Sequence, residues 1–80
     1  MTQRDKLIER IRQHPKGVTL EELDRMLRMF GFELVRVRGS HHIYRRPGSP
    51  PITVASHGPH VHSEAVREVL RIIDDLTGEG

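Results

Sequence analysis

Cysteine is absent from the 80 residues, so neither a disulfide framework nor a thiolate zinc site is available. That absence suits a reducing compartment. No apolar run is long enough to span a bilayer, and the opening MTQRDKLIERIRQ lacks the apolar centre of a secretory signal. The cytoplasm is therefore the expected location, with no membrane partner. Acidic residues are missing from the whole middle of the chain. Between Glu33 and Glu64 there are none, while four arginines and five of the six histidines lie there, a charge of +4 before any imidazole protonates. The net charge of +2 conceals this, because residues 1–33 hold seven basic and six acidic groups and residues 64–80 two basic and five acidic. A one-signed block of this kind is either a solvated face or a collector of phosphate. The length supports one domain with a modest core.

Hydrophobic periodicity divides the chain into short elements. Leu7, Ile8 and Ile11 mark one side of a helix over 4–13, interrupted by His-Pro-Lys-Gly at 14–17. Thr19 and Glu22 have capping-box spacing, and Leu20, Leu23, Met26, Leu27 and Phe30 then recur as one helical stripe that Gly31 stops. From Leu34 the chain alternates, which sends Val35 and Val37 to one face of a strand and Arg36 and Arg38 to the other. Gly39 and Ser40 supply a turn, HHIYRR a returning strand, and ITVAS at 52–56 a third. After the loop HGPHVH, Ser63 stands as an N-cap for a helix carrying Val66, Val69, Leu70, Ile73 and Leu76. The expected architecture is α+β: a three-stranded antiparallel sheet covered on one face by two helices, with an additional N-terminal helix. The chain divides into a helical extension at 1–17, a central domain at 18–76 and a disordered tail at 77–80.

The stretch RVRGSHHIYRR at 36–46 holds the chemistry. Histidine titrates near neutrality, so it can take a proton from an RNA 2′-hydroxyl or give one to a leaving 5′-oxygen. Arginine offers permanent charge in a planar fork that matches phosphate oxygens and can stabilise a five-coordinate phosphorane. Alternation separates His41 from His42 and Arg45 from Arg46, so one of each pair faces away from any site on the strand. Tyr44 shares the face of His42, where it either stacks on a base or packs.

The segment GFELVRVRGSHHIYRRPGSPPITVASHG resembles the HicA toxin family, small ribonucleases of bacterial and archaeal toxin–antitoxin systems whose fold is like the double-stranded-RNA-binding domain. The resemblance runs from the helix at Leu20, through Gly31-Phe32 and Gly39-Ser40-His41-His42, to about Ile73. It implies that His42, the second of the pair, is the catalytic histidine. By the same resemblance Gly39 is the turn glycine and His41 a substitutable neighbour. The family's Val-Pro-x-His on the third strand stands here as Val54-Ala55-Ser56-His57, which keeps an auxiliary histidine at 57 and loses the proline. Residues 1–17 have no counterpart in the shortest members.

The implied activity is that of a metal-independent endoribonuclease, an mRNA interferase that inhibits translation and is neutralised by a HicB-type antitoxin. His42 is expected to act as general base beside fixed positive charge, with Arg36, Arg38, Arg45 and Arg46 holding phosphates. The general acid is left open between His41, His57 and water. The rival reading is a non-catalytic RNA-binding module that recognises A-form shape through phosphate and 2′-hydroxyl contacts. A third involves a metal on His57, His60 and His62, spaced H-x2-H-x-H but with no cysteine or carboxylate nearby to complete a shell. No cofactor is expected.

Overall fold

The computed structural model describes residues 3–78. Positions 1–2 of the expected extension and 79–80 of the expected tail lie outside the described residues. Seven elements follow in order: α1 (Gln3–Gln13), α2 (Leu20–Met29), β1 (Glu33–Arg38), β2 (His41–Arg45), β3 (Ile52–His57), β4 (His60–Val61) and α3 (Ser63–Thr77). The strands form one antiparallel sheet in the order β1-β2-β3-β4. The α+β class and the N-terminal helix agree with the sequence reading, and the arrangement is compatible with a double-stranded-RNA-binding-like fold. Four strands replace the expected three. The fourth is only two residues long, too short to leave a periodic signal, and Gly58-Pro59 turns it back on β3. It is held from outside the hairpin: the amide of Val61 donates to the Val18 carbonyl at 3.0 Å and that of Leu20 to the Pro59 carbonyl at 2.9 Å.

Local chemistry sets the helix ends. At α2 the capping box forms as the spacing predicts, with the Glu22 amide donating to Thr19 Oγ1 at 3.1 Å and the Glu22 carboxylate accepting from the Thr19 amide. Ser63 is not the cap of α3. It lies inside the helix, and His62 takes the N-cap position without a side-chain bond, because β4 delivers the chain to the helix one residue early. At the other end Thr77 still belongs to α3, and Gly78, at φ 77°, closes it in the left-handed conformation glycine adopts cheaply. The structured part therefore reaches into the segment expected to be a free tail.

The core lies between the sheet and the helices. Leu23, Met26 and Leu27 of α2, Tyr44, Ile52 and Val54 of the sheet, and Val66, Val69, Leu70 and Ile73 of α3 are buried together. Helix α1 joins this layer as part of the core. Ile11 is 1% exposed within the same cluster, and Leu7 and Ile8 pack against it. Arg12 grips Asp74 of α3 through two bonds, at 2.9 and 2.8 Å, and the Arg4 guanidinium sits 5.0 Å from the centre of the Phe30 ring.

Two expectations follow for α1. Ile11→Ala opens a cavity in a small core and should lower unfolding free energy by roughly 2–4 kcal/mol, read as a reduced urea midpoint at unchanged slope. The Arg12 bonds hold the Asp74 carboxyl below its ordinary value of 3.8, against a smaller opposing effect of burial. A depressed carboxyl contributes stability above its unfolded value and loses it as pH falls through the folded one. Urea midpoints should thus fall below about pH 4, and Asp74→Asn should show a shallower acid decline from a lower neutral plateau.

Candidate functional site

The β1–β2 hairpin is closed by Gly39 and Ser40 between the paired residues Arg38 and His41. Gly39 has φ 59° while among the described residues no non-glycine residue has a positive φ, the pattern of a two-residue turn with glycine at its first central position. Register then assigns the faces. His42 pairs with Val37 on one side and Val54 on the other, and Tyr44 pairs with Leu34 and Ile52, so this face looks toward the helices. Arg38 opposes His41, Arg36 opposes Ile43 and Glu33 opposes Arg45, all on the face turned away from the helices. His57 and His60 pair across the β3–β4 hairpin on that outer face.

The alternation expected of β1 fails at one point. The register slips between Leu34 and Arg36, so Val35 and Arg36 together stand opposite Ile43. Val35 consequently joins Arg36, Ile43 and Arg45 around a shallow outer recess, while Val37 stays on the helix-side face. A bulge depends on what the partner strand offers, which local alternation does not encode.

His41 and His42 are separated as predicted, with consequences for the site. His41 is exposed and lies on the outer face among Arg36, Arg38 and Arg45. His42 is half-buried at the rim of the helix-side face, and among the described polar side-chain atoms its Nδ1 alone is buried without a hydrogen-bond partner. The expectation that His42 stands beside the strand arginines is corrected accordingly: Arg36, Arg38 and Arg45 occupy the other face of the same hairpin. Arg46, just past the end of β2, is half-buried, with Cδ and Nε 3.9 Å from where a Cβ on Gly31 would sit.

Of the two roles open to Tyr44, packing holds and base stacking does not. The residue is 1% exposed, its ring is part of the core, and it has no free face on which a base can stack. Its hydroxyl donates to Asp24 Oδ1 at 2.7 Å, and Arg28 Nε donates to Asp24 Oδ2 at 2.8 Å. Burial, and then the carboxylate accepting its proton, push the Tyr44 phenol well above its ordinary range. Burial alone would raise the Asp24 carboxyl, but the bonds from Arg28 and Tyr44 outweigh it, and the charge of His42 acts in the same direction. Asp24 and Arg28 escaped the reading of the sequence. Their i,i+4 spacing on α2 was legible as a helix pair, but nothing local tied them to residues 42–44.

Further along β3 the rings of His57 and His62 meet edge-on at 4.7 Å between centroids. Among the described residues no group of three or more histidine, cysteine or acidic side chains is disposed to hold a metal ion. Among those same residues no helix is long and apolar enough to cross a membrane.

Residues 20–74 match the family model described as "HicA toxin of bacterial toxin-antitoxin". The chain belongs to the HicA toxin family. The match covers α2, the whole sheet and most of α3, and it leaves α1 outside. No curated protein and no solved structure matches the chain. Membership makes this a toxin of the toxin–antitoxin class, and it places the GSHH turn and both faces of the hairpin within the shared region.

Replacing Tyr44 by Phe leaves ring packing intact and deprives a partly buried carboxylate of one donor. The expected cost is about 1–2 kcal/mol, measured as a lower thermal midpoint that Asp24→Asn does not deepen additively in the double variant.

Proposed function

We propose that this HicA toxin is an endoribonuclease, an mRNA interferase, with His42 as its general base. The observation that supports His42 is its mounting. Of six histidines it alone is half-buried; His14, His41, His57, His60 and His62 all stand in solvent. An acid–base group must be held to a fraction of an ångström, and a ring packed at a strand position beside Val54 and Tyr44 meets that demand better than a free one. Its Nδ1 is buried without a hydrogen-bond partner among the described side-chain atoms, a feature that in native structures asks for an explanation such as a working role.

With Nδ1 turned inward, Nε2 is the nitrogen offered to substrate. It takes the proton of a ribose 2′-hydroxyl; O2′ attacks the adjacent phosphorus, the P–O5′ bond breaks, and the 5′-oxygen receives a proton from a general acid or water. The products are a 2′,3′-cyclic phosphate and a free 5′-hydroxyl. His41 and His57 lie on the outer face, so either serves as acid only for a strand that passes over the Gly39-Ser40 turn. Arg36, Arg38 and Arg45 hold phosphates of that strand on the outer face, and Arg46, just past the end of β2, is a further candidate. Catalysis requires no metal in this scheme. A HicB-type antitoxin neutralises the toxin, and translation is what RNA cleavage stops in the cell.

A second reading is favoured by the separation of the arginines from His42. A basic outer face set apart from the candidate general base fits a non-catalytic RNA-binding module. The two readings diverge on one substitution. His42→Ala should lower cleavage of a single-stranded RNA roughly hundredfold or more, while far-UV circular dichroism and RNA affinity stay near wild type. His41→Ala should retain most of the activity, chelator should not inhibit, and the DNA of the same sequence should remain whole. Undiminished cutting by the His42 variant, or none by the parent protein, would leave the binding module standing.

A further inference from the structure

Among the described residues the sheet ends at β1, which pairs with β2 alone, so one side of its backbone carries N–H and C=O groups with no described strand beside them. The same strand carries the exposed large apolar side chains of the described residues, Val35 at 50% and Val37 at 53%. The bulge puts them on different faces, Val35 in the outer recess with Arg36, Ile43 and Arg45, and Val37 on the helix side. Between and beside them stand Arg36 and Arg38, exposed and in a stretch with no acidic residue from 34 to 63.

These features specify an occupant. We propose that the free edge of β1 docks an extended acidic segment of a protein partner as a fifth strand, with Val35 and Val37 as apolar anchors. The added strand pairs with the open main-chain groups. Its residues alternate between carboxylates meeting Arg36 and Arg38 on the outer face and apolar side chains meeting Val37 on the other. A second copy of this chain is disfavoured, since pairing β1 with itself brings arginine rows together. RNA matches the guanidinium groups but supplies no ladder and leaves both valines uncovered. The arginines and the bulge thus guard the edge against self-pairing while leaving it open to a strand of opposite charge. Arg36 and Arg38 are shared with the proposed phosphate-holding face, but the docked strand needs neither His42 nor His41, so it stands whether or not RNA is cleaved.

The test uses the full chain and a blocked eight-residue peptide of alternating glutamate and valine, with an alternating lysine–valine peptide as control. Amide resonances and hydrogen exchange of residues 34–38 report the site. The glutamate peptide should shift and protect these amides first, the lysine peptide should bind at least about tenfold more weakly, and Val35→Ser/Val37→Ser should weaken the glutamate peptide roughly tenfold. Both valines are exposed, so the double variant should keep its thermal midpoint. The proposal is overturned if the glutamate peptide does not bind, shifts other residues first, or binds the double variant equally. Equal binding of the lysine peptide would overturn it too. So would protection of 34–38 by an eight-residue oligoadenylate, or by self-association at high protein concentration, in place of the peptide.

Discussion

Successive side chains of a strand point to opposite faces, and in β2 this single geometric rule distributes every group of interest. His42 and Tyr44 fall on the face that must be covered, and His41, Ile43 and Arg45 on the one left open. Tyr44 is what fixes the phase. Its ring is buried in the core and its hydroxyl needs a partner there, which Asp24 of α2 supplies at 2.7 Å. A slip of one residue would expose Tyr44, bury Arg45 and exchange the two histidines. The position of His42 at the rim is therefore a by-product of packing a tyrosine two residues away.

The small size of the domain makes that packing depend on help from outside the family's shared region. With few aromatic side chains, the helix layer gains from every apolar group that can reach it. Helix α1 contributes Ile11 to the core, and its arginines bind Asp74 on α3 and Glu22 on α2, the latter at 3.5 Å. An element absent from the family match is thereby tied to both helices that hold the sheet. The surface pair with Glu22 adds little by itself. Burial of Ile11 and the bidentate Arg12 contact carry the attachment.

Charge is arranged as economically. The acidic residues sit almost entirely on the helices, where Asp24–Arg28, Glu68–Arg71 and Arg12–Asp74 pair off. The sheet keeps arginines without carboxylate neighbours apart from Glu33 at its margin. One layer is electrostatically satisfied and the other is not, which gives the unsatisfied face its attraction for phosphate or carboxylate. Separating the two also leaves His42 on the face turned toward the helices.

The local signals were strong where the physics is local. Thr19 and Glu22 announced the start of α2, Gly39-Ser40 the hairpin, and helical spacing the buried stripes, because caps, turns and periodicity involve residues within a turn of one another. The separation of His41 from His42 was equally legible. What escaped required a partner distant in sequence. The bulge at Val35 depends on how β1 meets Ile43; β4 exists because Val18 and Leu20 bond to it; and Asp24 becomes part of the site only when α2 crosses Tyr44. Sequence alone determined which elements form and that a basic, histidine-bearing hairpin lies among them. Only the tertiary structure decided which face each imidazole and guanidinium occupies, since that is set by which side of the sheet the helices bury.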